Sequence, residues 1–241
     1  MIYVLSDIHG NGRRFASIMK QIDLKPEDTL YILGDVVDRH PDGIRILKKI
    51  MAMPNAKMLL GNHEYMLLRA LGQPYDDNFD DGNALAHWYR NGGQVTHNHL
   101  KRIRKSARQE ILDFLGGLPL CFDIRVGERN YKLVHAAPME DFDRDPKYKN
   151  PVHFSVWKRL DGTEESPRGY TLIFGHTPTR HYRDCAPMEI WRGNGRIGID
   201  CGCGYPEDGP NSAYGRLCCL RLDDGKVFYS EEPARETEKT I

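Results

Sequence analysis

The chain has 241 residues, 40% of them hydrophobic, a size and composition that suit one domain with a sizeable core. Lys and Arg together number 34, as do Asp and Glu, so the formal net charge of zero excludes a global attraction to nucleic acid polymers or anionic membranes. The N-terminus does not resemble a signal peptide, no apolar run approaches the roughly 20 residues that span a bilayer, and the six cysteines are scattered, so we expect a cytoplasmic protein.

The first sixty residues alternate between short apolar runs and amphipathic helical patterns. Strands are predicted at 2–6, 29–34 and 57–61, and helices at 13–22 and 43–52, where apolar residues recur at spacings of three and four. This βαβαβ order predicts parallel strands, whose carboxyl ends line one crevice. The polar residues that directly follow the strands should therefore meet there: Asp7, His9, Asp35, Asn62 and His63.

The middle of the chain, about 66–118, is rich in helical patterns and is interpreted as a helical insertion that contains an acidic loop at 73–83. The remaining pattern has no internal repeat and no low-complexity linker. We therefore predict a single domain over 1–230, followed by a polar tail at 231–241.

From residue 119 onward, short strands separated by Gly and Pro predict a second, more antiparallel sheet. Three of its apolar runs also stop at a polar residue. These residues are His135, His176 and Asp200.

The residues at the strand ends form a mixed set of carboxylate, amide and imidazole groups. Such a set suits borderline or hard divalent metals, with manganese preferred and iron or zinc as alternatives. Six such groups are too many for one closed structural metal site, and they fit a site for two metal ions. Two metal ions about 3.5–4 Å apart can clamp a phosphate and hold a bridging hydroxide for in-line attack. We expect Asp35 at the centre, Asp7 and His9 on one side, and Asn62, His135 and His176 on the other.

His63 follows Asn62 directly and cannot easily share its metal, so we predict that it is a general acid. A hydrogen bond from one ring nitrogen to Asp38 would raise the pKa of His63 and fix its orientation. Arg39 presents a fork that matches the edge of a phosphate, and Arg159 is the candidate for the opposite side of that phosphate.

The chain contains five short motifs at these positions: SDIHG (6–10), GDVVDR (34–39), GNHE (61–64), VHA (134–136) and FGHT (174–177). They resemble motifs of the PPP-type, calcineurin-like metallophosphoesterases. The resemblance extends over 1–220 and is closest to lambda-type serine/threonine protein phosphatases and symmetrical diadenosine tetraphosphatases, with NGG at 91–93 as a further likeness. It implies an α/β sandwich of two mixed β-sheets flanked by helices, with a helical insertion.

The resemblance also implies a role for each residue at the strand ends. It assigns the first metal to Asp7, His9 and Asp35, and the second to Asp35, Asn62, His135 and His176. It assigns the acid dyad to His63 and Asp38, and the contacts with substrate phosphate to Arg39, Arg159 and Asn62. Arg168 or Arg180 could substitute for Arg159, because the second arginine of the family lies in a variable stretch. The chain departs from the family pattern at VHAAPME and in the acidic loop, and both departures bear on the substrate.

Three functions are compatible with the sequence. The leading hypothesis is a dinuclear metal-dependent phosphoesterase that hydrolyses phosphoserine and phosphothreonine in proteins, or small phosphate esters. The alternative is a hydrolase of diadenosine tetraphosphate, which would need bases to stack on Trp88, Tyr89 or Trp157. An inactive phosphate-binding scaffold ranks last, because every metal and acid position is filled. The sequence leaves the oligomeric state open.

Overall fold

The structure is a computed structural model that describes residues 1–72, 83–167 and 169–231. Strands β1 and β2 pair in parallel, and so do β2 and β3, which confirms the predicted βαβαβ order. The carboxyl ends of these strands therefore lie at one edge of the first sheet. The elements of this unit are β1 (Ile2–Leu5), α1 (Gly12–Ile22), β2 (Thr29–Ile32), α2 (Gly43–Met51) and β3 (Ala56–Met58).

In the described residues four helices follow β3, as the helix-rich middle predicts, although the first of them already begins at Asn62. Residues 73–82 of the acidic loop and 232–241 of the predicted tail lie outside the described residues. No helix in the described ranges is long and apolar enough to cross a membrane. The helices are α3 (Asn62–Ala70), α4 (Ala84–Arg90), α5 (Gln94–Leu100) and α6 (Lys105–Gly116), and α7 (Pro151–Trp157) comes later.

The strands that the structure describes form two mixed sheets of five strands each, with the orders β10-β9-β1-β2-β3 and β4-β5-β6-β8-β7. The second sheet is less antiparallel than the sequence predicts, because β5, β6 and β8 are parallel and only its edge pairs are antiparallel. A long connection that contains α7 carries the chain from β5 back to the start of β6, as parallel pairing requires. The later strands are β4 (Cys121–Val126), β5 (Arg129–Val134), β6 (Thr171–Phe174), β7 (Trp191–Gly193), β8 (Arg196–Gly198), β9 (Cys218–Arg221) and β10 (Val227–Tyr229).

Alternating side chains of the strands pack into separate cores. In β1, Val4 packs with Leu133 and Ile173 of the second sheet, whereas Leu5 packs with Ile18 and other residues of the helices. This period of two lets one strand contribute to the core between the sheets and to the core under the helices. The sandwich thereby brings the carboxyl ends of strands from both sheets to the same edge.

Candidate active site

The residues predicted at the strand ends meet at that edge of the sandwich. Backbone hydrogen bonds join the loops: the amides of Asp7 and His9 donate to the carbonyls of Gly34 and Asp35 at 3.1 and 2.9 Å. All of the predicted site residues are buried except Arg39 and Arg159, which are exposed. The structure thus brings together groups that are far apart in sequence and leaves two arginines exposed to solvent.

Six of these residues have backbone conformations that are unfavourable for any residue with a side chain. Positive φ values are strained for non-glycine residues and concentrate at functional sites. The values are 54° for Asp7, 49° for His9, 55° for Asp35, 72° for Asp38, 66° for Arg39 and 62° for His176.

His9 directs one ring nitrogen toward two carboxylates. Its Nδ1 lies 3.4 Å from the carbonyl oxygen of Val37, and its Nε2 lies 3.9 Å from Asp7 Oδ1 and 3.7 Å from Asp35 Oδ2. Burial, reinforced by the charge of Arg39, lowers the pKa of His9 well below its ordinary value. The ring is therefore neutral, and a proton on Nδ1 leaves the lone pair of Nε2 directed at the carboxylates.

A second group of acceptors converges on the side-chain oxygen of Asn62. His135 donates from Nδ1 to a backbone carbonyl at 2.7 Å, so its Nε2 carries a lone pair, 2.9 Å from Asn62 Oδ1. His176 donates from Nε2 to the carbonyl of Trp157 at 3.1 Å, and its Nδ1 lies 2.9 Å from the same Asn62 oxygen. Lone pairs that face one another at such distances repel unless a cation lies between them.

Asp35 stands between the two groups, because its Oδ2 faces His9 and its Oδ1 lies 3.5 Å from His135 Nε2. Burial raises the pKa of Asp35 to about 7. Burial, with the neighbouring Asp200 and Asp35 carboxylates, also raises the pKa of Asp7 well above its ordinary value. Divalent cations would relieve this mutual repulsion, so the donor set fits two metal ions of the kind that oxygen and imidazole ligands prefer.

His63 and Asp38 form a buried hydrogen-bonded pair. His63 Nδ1 lies 2.7 Å from Asp38 Oδ2, and His63 Nε2 lies 3.3 Å from Arg39 Nη2. A guanidinium group only donates, so Nε2 accepts from Arg39 and the ring proton is on Nδ1, where it is donated to Asp38.

The sequence predicts that Asp38 raises the pKa of His63, and this prediction is wrong. Burial is the largest influence and lowers the pKa of His63 to about 3; Asp35 acts against it and Arg39 with it. Burial also raises the pKa of Asp38 to about 7. The loss of solvation therefore outweighs the attraction between the His63 ring and the Asp35 carboxylate. His63 is neutral while Arg39 lies against it.

Geometry alone also allows His63 to bind a metal, since one ligand atom each of His9, Asp35 and His63 lie within 4.8 Å of one another. Two contacts oppose that role. Asp38 occupies Nδ1, and the positively charged guanidinium of Arg39 lies against Nε2, where a metal ion would have to bind.

Glu64 is a supporting residue to which the sequence assigned no role. Its carboxylate accepts hydrogen bonds from the amides of Asp35 and Val36, both at 2.8 Å, and from that of Gly61 at 3.2 Å. Gly61 is required there, because a Cβ atom would lie 2.3 Å from Asp35 Oδ1. Glu64 thus fixes the start of the loop that carries Asp35, Asp38 and Arg39.

The three candidates for the second arginine differ in their surroundings. Arg159 is exposed just after α7, and its charge is a cause, after burial and His135, of the lowered pKa of His176. Arg180 donates to Asn211 at 3.0 Å and lies over the ring of Tyr214. Arg168 lies outside the described residues. Of the two candidates that the structure describes, Arg159 is therefore the one whose charge reaches the site.

Two clefts meet at Arg39. One, of about 680 Å³, lies between the α4–α5 turn and residues 204–208, and the other, of about 720 Å³, follows α5. Trp88 is fully buried and cannot stack on a base, which corrects one expectation for a nucleotide substrate. Among the described residues that line these two clefts, Tyr205 is the one aromatic ring of Phe, Tyr or Trp.

Comparisons with known proteins agree with this geometry. The model of the calcineurin-like phosphoesterase family matches residues 1–201. A symmetrical bis(5'-nucleosyl)-tetraphosphatase from Paracidovorax citrulli is 26% identical over 194 residues, which cover 79% of this chain and 62% of that protein. The chain therefore spans less than two thirds of the length of that relative.

Two further similarities involve protein phosphatases. Serine/threonine-protein phosphatase 2 of Salmonella typhimurium is 28% identical over 73% of this chain and 78% of its own length. The structure of a protein serine/threonine phosphatase from Saccharomyces cerevisiae superposes with a TM-score of 0.58 and 14% identity, covering 98% of this chain and 81% of that one. At that identity, the likeness to the yeast structure is one of fold.

Proposed function

This chain belongs to the calcineurin-like phosphoesterase family of metal-dependent hydrolases, and from that membership we propose that it hydrolyses phosphoserine and phosphothreonine monoesters. The observation that carries the proposal is the buried His63–Asp38 pair beside Arg39, the exposed residue at which two open clefts meet. A serine or threonine alkoxide is a poor leaving group, and a positioned acid is what its departure requires.

The proposed metal ligands are the two groups of converging acceptors. When bound, two divalent cations, manganese in the first instance, supply positive charge for the phosphoryl oxygens and activate water as the nucleophile. Asp35 would help to hold both cations. Asp7 and His9 would hold the first with it, and Asn62, His135 and His176 would hold the second.

Arg39 and His63 act on the substrate itself. The guanidinium group of Arg39 binds phosphate oxygens, with Arg159 and Asn62 as further contacts, and in doing so it leaves His63 Nε2. The dianionic phosphate then favours uptake of a proton from solvent at Nε2, since a nearby negative charge stabilises the imidazolium form. His63 donates this proton to the departing oxygen, while Asp38 holds the ring through Nδ1.

The test compares substrates at one enzyme concentration. We expect the manganese-loaded protein to hydrolyse a phosphoserine peptide and p-nitrophenyl phosphate, and to hydrolyse diadenosine tetraphosphate more slowly than the peptide. Absence of turnover on all three would revive the scaffold hypothesis, and the reverse order of rates would replace the protein substrate by a nucleotide.

Hydrolysis of a dinucleoside polyphosphate is the second candidate, and two observations favour it. Several relatives, that from Paracidovorax citrulli among them, are named symmetrical bis(5'-nucleosyl)-tetraphosphatases, and Tyr205 lines the cleft of about 680 Å³ beside Arg39. Trp157 is half-buried and stacks on His87 with ring centroids 5.6 Å apart. Tyr205 is therefore the ring on which a base would stack.

Arg39→Lys should weaken both substrate affinity and turnover although the charge is kept. An ammonium group cannot make the planar two-point contact with phosphate, and loss of a hydrogen bond to a charged group lowers kcat/KM roughly ten- to hundredfold. Arg45→Lys is the matched control, because Arg45 is exposed on α2 and pairs with Asp42. Kinetics of Arg39→Lys equal to those of the control would assign Arg39 a structural role.

A further inference from the structure

The carboxylate of Asp38 receives two hydrogen bonds on the same oxygen. His63 Nδ1 lies 2.7 Å from Asp38 Oδ2, and the indole Nε1 of Trp88 donates to that oxygen at 2.8 Å. Trp88 is 0% exposed, so its N–H group cannot exchange this partner for water. An indole nitrogen only donates, so Trp88 holds Asp38 Oδ2 as an acceptor and fixes the orientation of the carboxyl group.

The segment α4–α5, residues 84–100, contacts the loop that carries Asp38 and Arg39 at two further points. The amide of Asp38 donates to Thr96 Oγ1 at 2.9 Å, and the amide of Arg39 donates to the carbonyl of Gly92 at 3.2 Å. Asp38 and Arg39 have φ values of 72° and 66°, which are strained for residues with a side chain and persist only when the surroundings fix them. The three contacts supply that constraint from one short segment.

The position of Trp88 is itself fixed by its neighbours. A Cβ atom at residue 93 would lie 2.3 Å from Trp88 Nε1, so Gly93 permits the indole to approach the α4–α5 turn. The ring of His97 packs against Trp88 at 5.5 Å, and Tyr89 Oη lies 2.7 Å from His97 Nδ1. This gives the NGG sequence at 91–93 a physical reason: it accommodates the ring that holds Asp38.

We propose that Trp88 and Thr96 are positioning residues of the acid dyad, which fix the Asp38 carboxylate so that His63 faces the leaving oxygen of the substrate. This inference rests on the proposed function, in which His63 protonates that oxygen. It assigns the helical segment a role in the rate of the reaction in addition to its role in packing. Neither residue touches the substrate, and each acts through Asp38.

The test is the ratio of phosphoserine peptide turnover to p-nitrophenyl phosphate turnover, with both rates measured on the same preparation of Trp88→Phe. We expect turnover of a phosphoserine peptide to fall about tenfold more than turnover of p-nitrophenyl phosphate, the size of effect typical of a lost supporting hydrogen bond in an active site. Nitrophenolate leaves without a proton, so its rate reports the remaining machinery. The fraction of folded protein cancels in this ratio, and metal content should be unchanged.

Trp191→Phe is the matched control. Trp191 is partly buried in β7, where it stacks on Tyr182 with centroids 4.3 Å apart, and its substitution should leave the ratio of rates unchanged. If Trp88→Phe does not fold, Thr96→Val and Thr96→Ser replace it. Valine removes the hydroxyl that accepts from the Asp38 amide and should lower the ratio, whereas serine retains it and should restore the ratio.

His63→Asn, measured in parallel, separates the two levels of the argument. If His63→Asn has no effect on the ratio, the acid role in the proposed function is wrong. If His63→Asn lowers the ratio while Trp88→Phe and Thr96→Val lose both activities equally or not at all, the positioning role is wrong and the acid role stands.

Discussion

Asp35→Asn is expected to abolish hydrolysis of phosphate esters and to lower the metal content at both positions. The two carboxylate oxygens of Asp35 face different donor groups, with Oδ2 at 3.7 Å from His9 Nε2 and Oδ1 at 3.5 Å from His135 Nε2. An amide offers one neutral oxygen in place of two that share a negative charge, so it cannot serve two cations. The metal content should fall from about two ions per chain to one or none.

Asp23→Asn is the control for this substitution. Asp23 is exposed at the end of α1 and has a φ of 43°, close to the 55° of Asp35. The same chemical change in the same backbone conformation should leave activity and metal content intact there. Two ions still bound to Asp35→Asn would refute the proposal that this carboxylate bridges them.

His63→Asn should slow hydrolysis of a phosphoserine peptide far more than hydrolysis of p-nitrophenyl phosphate. A positioned general acid contributes on the order of 10²- to 10⁴-fold when the leaving group needs a proton, and nitrophenolate needs none. Asp38→Asn should give the same bias more mildly, because an amide in place of the carboxylate weakens the hold on Nδ1, 2.7 Å away.

Metal content distinguishes this role from ligation. His63 lies close enough to His9 and Asp35 to share a cation with them. If it did so, His63→Asn would lose metal and would slow both substrates alike. Retained metal with a strongly biased loss of rate is the result expected for a general acid.

The arrangement of the site was predictable from sequence where it follows from parallel strands. Apolar runs that end at Asp7, Asp35 and Asn62, separated by amphipathic helices, determine which edge of the sheet those residues share. The parallel centre of the second sheet was harder to predict, because single short strands do not reveal their partners. Its residues His135 and His176 were nevertheless identified by their position after apolar runs.

The contacts that govern the acid dyad could not be predicted in this way. Trp88 is 50 residues from Asp38, and an aromatic residue in an amphipathic helix indicates packing rather than a hydrogen bond to a particular carboxylate. The neutral state of His63 depends on the orientation of the flexible Arg39 side chain and on the degree of burial. Neither property follows from the spacing of residues along the chain.

The most direct test of metal-dependent phosphoester hydrolysis is a titration of the metal-stripped protein with Mn²⁺, with the rate of p-nitrophenyl phosphate hydrolysis as the readout. The two groups of converging acceptors predict no turnover without metal and a rise to a plateau near two equivalents per chain. Full turnover by the stripped protein, unchanged by added Mn²⁺, would contradict the proposed metal centre and the function that depends on it.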